Sequence, residues 1–372
     1  MKILIDLTSL YDHISGIERY ALEISKGLIK THPENEYVLL FKNEVYEDFR
    51  NMENDNIRIH VLKARNKLIF SQLTLPVFLY SQKADAYLFM AFPEPLLFFR
   101  ENVYTTVHDM SPWECSDTMK SISKWYFRLS WRHSFLFSKV ILTVSKFSAS
   151  RIMELANVKR NRIWLIRDGI SGRKANAKDI EIARKKYNLP EKYIMTLSTI
   201  EPRKNMSLLV RAYSELIDEG YKLPELVLVG RNGWKNDKLF AHCSEEAREH
   251  IHMPGYIDNK ETVGVYGGAQ AFIFPSIYEG FGMPPLEAML AGTIVVSSDA
   301  ASMPEVLGDS AIYFKSDDVA DLKKKIIYAL ELDGITRNEY LIKGSRRAEL
   351  YIWDDEADKL GNRLATAYQR KR

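Results

Sequence analysis

The sequence predicts an α/β protein built from two Rossmann-like domains, each a mostly parallel sheet covered by helices. Three observations lead there. Short apolar runs alternate with segments whose apolar residues recur at helical spacing, the pattern of strands buried on both faces. The alternation pauses at a polar stretch, 171–186, and restarts after Pro190. A length of 372 residues also exceeds what one hydrophobic core usually organises. The expected divisions are 1–175, 176–352 and a final helix over 353–372.

Element by element, residues 2–7 read as the first strand. Residues 17–30 read as a helix, through Ile17, Tyr20, Ala21, Ile24 and Leu28. Strands follow at 37–41 and 57–62, a helix at 72–81 despite Pro76, and strands at 86–90 and 103–108. Residues 121–137 form an aromatic-rich amphipathic helix, followed by a strand at 140–144, a helix at 146–155 and a strand at 163–166. In the second half, strands are expected at 193–198, 225–229, 251–253, 271–274, 293–297 and 311–314. Helices are expected at 208–217, 240–249, 262–267, 286–291 and 319–332, with one or two long helices over 337–368. Ligands of such folds bind at the strand ends, so a cleft there is the expected site.

Composition narrows the class. Hydrophobic residues make 46% and charged residues 27%, an ordinary soluble balance, and no apolar run reaches membrane-spanning length. The start turns acidic at Asp6, too soon for a signal peptide, and reads as a strand. Cys115 and Cys243 have no neighbouring His cluster, so neither a disulfide staple nor a metal site is expected, and a reducing cytoplasm is the simpler setting. Net charge is only +3, yet between Lys120 and Lys174 thirteen Lys and Arg are interrupted only by Glu154 and Asp168. That run suits an anionic membrane surface or phosphorylated carrier, or equally a solvated surface. Without a helix-turn-helix or aromatic-glycine RNA signature, it does not point to nucleic acid.

Four motifs carry possible chemistry. Ser15-Gly16-Ile17-Glu18-Arg19-Tyr20 lies between the first strand and its helix, where Gly16 serves either turn geometry or close ligand approach. His108-Asp109 follows a strand. It reads as a base with its orienting carboxylate, or as a buried His beside a capping Asp. Glu201-Pro202-Arg203-Lys204-Asn205 also follows a strand, and its adjacent Arg and Lys suit a diphosphate. Glu279-Gly280-Phe281-Gly282-Met283 leads from the strand at 271–274 towards a helix carrying Glu287, so Glu287 can meet a hydroxyl pair while amides near Gly282 meet a polar ligand. Gly230 would form part of the same floor, and Tyr256 would border a base or sit in a plain turn. The absence of Gly-x-Gly-x-x-Gly after the first strand disfavours a dehydrogenase.

Together, and in this order, these motifs resemble retaining glycosyltransferases of family 4, and the resemblance spans nearly the whole chain. It implies the GT-B fold: two Rossmann-like domains facing across a cleft, acceptor in the first and nucleotide-sugar in the second, with the C-terminal helix crossing back. It also implies catalysis without a metal. Arg203 and Lys204 would hold the diphosphate, Glu287 the ribose and Glu279 the donor hexose. Phe281, Gly282 and Met283 would lend amides, His108 would lie beside the anomeric carbon, and Gly16 would close over the diphosphate. Two departures stand out. Ser15 replaces the family's first glycine, and Ser198 stands near where many members carry an Arg that Arg203 would then supply. The resemblance extends to bacterial mannosyltransferases of O-antigen, capsule or exopolysaccharide synthesis. GDP-mannose is therefore the favoured donor, with UDP- or dTDP-sugars as alternatives. The acceptor would be a saccharide or a polyprenyl-diphosphate-linked saccharide. The aromatic, basic segment 113–132 would rest on the inner membrane's cytoplasmic face, or pack an ordinary core. An epimerase, a phosphorylase and a non-catalytic carbohydrate-binding or assembly protein are the rival readings.

Overall fold

The computed structural model describes residues 1–11, 14–64, 66, 69–115, 121–231, 233 and 238–370, with only the backbone of 121–123. It divides into two compact units, Met1–Gly169 with Ile352–Arg372, and Ile170–Tyr351. The expected division at 175/176 lies downstream of the observed one.

The first unit runs β1 (Lys2–Asp6), α1 (Gly16–Thr31), β2 (Glu36–Lys42), β3 (Ile57–Leu62), α2 (Leu75–Ser81), β4 (Ala86–Phe89) and β5 (Val103–Thr106). It continues with α3 (Ser111–Glu114), α4 (Ser121–Phe137), β6 (Val140–Thr143), α5 (Lys146–Ala156) and β7 (Ile163–Leu165). Its sheet has the order β3-β2-β1-β4-β5-β6-β7, and the paired strands are parallel. Every residue of β4, β5 and β6 is buried, so these strands show no alternation of apolar and charged residues, and the residues in them that are not hydrophobic are Thr105, Thr106 and Thr143. One core packs Leu4, Leu40, Leu79, Phe89 and Phe98 together, and a second gathers Trp131, Phe135, Ile141 and Ile152.

The second unit runs α6 (Ala177–Tyr187), β8 (Tyr193–Leu197), α7 (Met206–Asp218), β9 (Glu225–Val229), α8 (Glu245–Glu249), β10 (Ile251–Gly255), α9 (Thr262–Gly267) and β11 (Ala271–Phe274). It then has α10 (Met283–Ala291), β12 (Ile294–Ser298), α11 (Met303–Leu307), β13 (Ile312–Phe314), α12 (Val319–Leu330) and α13 (Gly334–Ala348). Its sheet order is β10-β9-β8-β11-β12-β13, again parallel. In both sheets the strand order reverses beside the first strand, between β1 and β4 and between β8 and β11. Loops diverge at such a switch point and leave a crevice at the carboxyl ends of the strands.

The last helix, α14 (Trp353–Gln369), belongs to the first unit. It buries Ala357, Leu360 and Leu364, and its Asp358 carbonyl lies 3.2 Å from His32 Nε2 at the end of α1. Glu356 of α14 accepts the Arg167 backbone N–H at 2.9 Å, anchoring the chain after β7.

Several elements depart from the sequence expectation for local reasons. The helix expected at 72–81 opens as a π-helical turn, Phe70–Thr74, where the Leu75 N–H donates to the Phe70 carbonyl. Pro76 has no N–H to continue the α-helical ladder, and the wider turn accommodates this. The helix expected over 240–249 is confined to Glu245–Glu249, because the Ser244 hydroxyl caps it by accepting from the Ala247 N–H. The helix expected from 286 begins at Met283; Pro284 and Pro285 fall in its first turn, where a missing N–H costs nothing. At α1, Ser15 and Glu18 form a cap, with Glu18 accepting the Ser15 backbone N–H at 3.0 Å. Helix initiation thus accounts for Ser15, the residue that departs from the first-loop pattern of the family the sequence resembles.

Cys115 and Cys243 are free and half-buried. Among the described residues, no helix is long and apolar enough to cross a membrane, and no group of three or more His, Cys, Asp or Glu is placed to hold a metal ion.

Candidate functional site

In the second unit, β8 and β11 flank the switch point, and the loops leaving them carry the basic and acidic motifs. After β8, Pro202–Lys204 form a 3-10 turn, and Asn205, at φ +51°, turns the chain into α7. After β11, the Ile277 N–H donates to the Arg203 carbonyl at 3.0 Å, joining the two loops through the backbone.

Their side chains form one buried ionic cluster. Lys204 Nζ lies 2.6 Å from Glu279 Oε1, and Arg203 Nη1 lies 3.2 Å from Glu279 Oε2. Arg203 also donates to the Tyr278 carbonyl at 2.8 Å and pairs with Glu201 at 3.0 Å. The Ser276 hydroxyl donates to Glu279 Oε1 at 2.5 Å. Burial pushes the Glu279 carboxyl up, but Lys204, then Arg203, outweigh it and hold it below the usual carboxylate range. The expected diphosphate-binding pair is therefore already engaged with the expected sugar-binding carboxylate. Among the described residues, two cations, Arg203 and Lys204, face two carboxylates, Glu201 and Glu279, in this cluster.

The lowered pKa gives a pH signature. Glu279 stabilises the fold at pH above its unfolded-state value, and that contribution is lost as pH falls through the lower folded value. Glu279→Gln should therefore destabilise the second unit most near neutrality, and the gap from the unaltered protein should narrow in acid. Urea unfolding across that pH range checks this. A gap independent of pH would show that the carboxylate charge does not hold these loops together.

The backbone that follows is built for close approach. Gly282 caps α10 at φ +93°, and a Cβ there would lie 2.4 Å from Met303 Cε. The Ser302 hydroxyl donates to the carbonyls of Glu279 and Phe281, at 3.0 and 3.1 Å, and the Phe281 ring meets Tyr351 edge-on. The Met283 amide opens the positive end of α10, where a polar or anionic ligand is favoured. Glu287 lies farther along the same helix and accepts from the Tyr266 hydroxyl at 3.2 Å.

Gly230 ends β9 at φ +147°, and a Cβ there would fall 1.8 Å from the Ser198 carbonyl oxygen. Its N–H donates to the Gly255 carbonyl at 2.9 Å. Gly230 is thus required first for packing of the strand ends. Tyr256 is exposed, with the Arg231 guanidinium 4.3 Å from its ring centroid.

The first unit holds the remaining expected residues. Gly16 is the exposed first residue of α1. His108 follows β5; its Nε2 lies 2.8 Å from the Met90 carbonyl, and its ring meets Tyr20 edge-on at 5.0 Å. Burial lowers its pKa, so at neutral pH the ring is uncharged, donating at Nε2 and able to accept at Nδ1. The Met90 carbonyl orients the imidazole, while Asp109 accepts the Ser111 N–H at 2.9 Å as α3 begins. The His108 carbonyl accepts from the Ser148 hydroxyl at 3.0 Å.

Sequence reasoning passed over two features. Asp168, buried after β7, is pushed up to about 8 by burial; Arg19 opposes this and Glu356 adds to it. Glu94 is buried and accepts from Thr105, Ser134 and Ser138, with His133 Nδ1 at 3.2 Å. No local motif marks either residue, because their partners come from distant elements. Ser302 was equally hidden. It reaches the Glu279 loop only because α11 packs there.

Comparison with known proteins fits this architecture. Residues 178–348 match the family described as "Glycosyl transferases group 1". The chain is 33% identical over 259 residues to O-antigen chain mannosyltransferase B of Escherichia coli, covering 68% of each. It belongs to this glycosyltransferase family. O-antigen chain mannosyltransferase RfbU of Salmonella typhimurium is 29% identical over 273 residues, covering 73% of this chain and 70% of that one. In structure, the glycosyltransferase resembles Anabaena HepE in complex with UDP and glucose, with a TM-score of 0.75 at 15% identity over 98% of this chain and 100% of that one. It is a GT-B enzyme that transfers a glycosyl group from a nucleotide-sugar, and it is related to bacterial mannosyltransferases.

Proposed function

We propose that this glycosyltransferase transfers mannose from GDP-mannose to a saccharide or polyprenyl-diphosphate-linked saccharide, forming an α linkage with retention. The likeness to O-antigen mannosyltransferases over two thirds of the chain supports the sugar. The cluster of Arg203, Lys204 and Glu279 at the switch point of the second sheet carries the donor-site reading.

In this reading Lys204 and Arg203 neutralise the diphosphate as it departs, and Glu279 accepts hydrogen bonds from hexose hydroxyls. Glu287 takes the ribose hydroxyls, and the amides from Phe281 to Met283 face the sugar and phosphates. Gly230 and Tyr256 border the nucleotide. In the first unit, His108 supports the anomeric carbon and Gly16 admits the diphosphate. The bond between the anomeric carbon and the leaving phosphate oxygen breaks as the acceptor oxygen attacks from the same face. That phosphate oxygen takes the acceptor proton, and the nucleoside diphosphate leaves. Glu279 favours this route over double displacement, because its lone pairs are directed at Lys204, Arg203 and Ser276 rather than presented as a nucleophile.

The second reading is a uridine-linked donor. Solved structures of the same fold are described with UDP and UDP-glucose. Calorimetric titration with GDP, UDP, dTDP, CDP and ADP, each with and without Mg²⁺, separates the two. Selective, metal-independent GDP binding is expected. Selective UDP or dTDP binding would overturn the donor but keep the reaction. No nucleotide binding, with no transfer to any acceptor, would support a non-catalytic binding or assembly protein.

A further inference from the structure

In the first unit, a depression of about 500 Å³ is lined by Phe99, Arg100, Glu101, Asn102 and Phe137. Residues 99–102 lead into β5, and Phe137 ends α4 just before β6, so the depression lies at the amino ends of these strands. His108 follows β5 at the opposite end. As extended chain, the stretch from Asn102 to His108 spans roughly 20 Å.

Exposed side chains ordinarily change rotamer freely, but the two phenylalanines are backed by a buried polar network. The Phe99 ring meets Phe137 edge-on at 5.1 Å, and the His133 imidazole packs against both, 5.1 Å from Phe99 and 4.8 Å from Phe137 between ring centroids. His133 Nδ1 lies 3.2 Å from Glu94 Oε1. Glu94 is fixed in turn by the hydroxyls of Thr105, Ser134 and Ser138, at 2.7, 2.7 and 3.1 Å. The Phe99 N–H donates to the Tyr80 hydroxyl at 2.8 Å. Both rings nevertheless remain 49% exposed. Surfaces set in place before a ligand arrives lose less freedom on binding it. Among the described residues, His133 Nε2 is buried and has no hydrogen-bond partner. It lies on the side of the imidazole away from Glu94, and an unpaired buried nitrogen is costly in a packed core.

We propose that this depression is a second saccharide-binding site, which holds a sugar unit of a glycan chain away from the reacting end. The lining selects that ligand. A sugar ring presents C–H groups on its faces and hydroxyls around its rim, and it needs aromatic surface beside convergent polar groups. Phe99 and Phe137 supply the aromatic surface. Asn102 Nδ2 donates to the Ala84 carbonyl at 2.6 Å, which leaves Oδ1 to accept from a hydroxyl. Arg100, steadied over the Tyr80 ring, and Glu101 bring opposite charges side by side, so the rim favours a neutral ligand over an anion or a cation. A hydroxyl reaching between the rings would give His133 Nε2 the partner it lacks. Glycosyl transfer supplies the ligand class, because its product is a saccharide. Gripping the same chain at a remote site raises the effective concentration of its end where transfer occurs. Any glycan product suffices for this role, whichever nucleotide carries the donor sugar.

Affinity electrophoresis of the full-length protein through native gels containing α-mannan, dextran or galactan tests it, with calorimetric nucleotide binding on the same preparations. Retardation by at least one glycan is expected. Phe99→Ala with Phe137→Ala should weaken it roughly tenfold, the scale of losing a central aromatic anchor. Arg100→Ala with Glu101→Ala should weaken it severalfold. This second pair keeps both rings and the Glu94 network, so it provides the test even if the aromatic pair fails to fold. Nucleotide binding should be unchanged in both, because all four residues lie in the first unit, outside the donor loops. Absence of retardation by all three glycans would overturn the proposal. So would retardation that both double variants retain in full, since the glycan would then be held elsewhere. If no nucleotide binds but the variants still release a retarding glycan, the donor reading fails and this site stands.

Discussion

Replacing Lys204 by alanine is expected to lower donor turnover about 100- to 1,000-fold, the scale of removing one charge-stabilising donor from a reacting centre. It should also destabilise the second unit by roughly 3 kcal/mol, because Glu279 is buried and loses its nearest cation. The two effects can be separated. Lys204→Ala with Glu279→Ala removes both charges of the pair, so stability should largely return while turnover stays low. Steady-state transfer kinetics and urea unfolding of the two variants, beside the unaltered protein, check this. If Lys204→Ala keeps near-normal turnover while losing stability, the lysine acts only as a counter-charge for Glu279. Arg203→Ala should show the same split, with the added consequence that Glu201 loses its partner.

Gly230→Ala is expected to destabilise the second unit by roughly 3–6 kcal/mol, enough to unfold many domains outright. The new methyl would lie 1.8 Å from the Ser198 carbonyl oxygen and 2.8 Å from its carbon, both backbone atoms that cannot swing aside. Hydrogen bonds pin both sides of the collision: the Ser198 N–H donates to the Val229 carbonyl at 3.1 Å and the Gly230 N–H to the Gly255 carbonyl at 2.9 Å. The positive φ at residue 230 adds strain for any L side chain. Two-step urea unfolding should show the second unit's transition shifted or lost and the first unit's retained. Near-wild-type stability would mean that the ends of β8 and β9 can part freely. Nucleotide binding would then report on any separate role of this glycine in the donor site.

Why some of this was legible in the sequence is physical. Strands buried on both faces are rich in apolar residues without alternation, so β4, β11 and the apolar runs of β6 and β12 announced themselves. The apolar face of α1, with Tyr20, Ala21, Ile24 and Leu28 buried, follows the helical period. Short-range chemistry was less visible where it competed with that pattern. Pro76 read as a tolerated interruption, yet the chain before it takes a π turn. Phe240 read as the start of a helix, yet the Ser244 cap starts it later.

Local pattern and motif order were enough to read two parallel α/β sheets, the motifs on the loops after β8 and β11, and the family. Tertiary packing alone shows that Arg203 and Lys204 grip Glu279, that the Ser198 carbonyl leaves no room for a Cβ at Gly230, and that Asp168 sits where burial drives its carboxyl up to about 8. These outcomes depend on groups far apart in the chain meeting at close range, where low dielectric and steric exclusion set the energy, and no local spacing encodes that meeting.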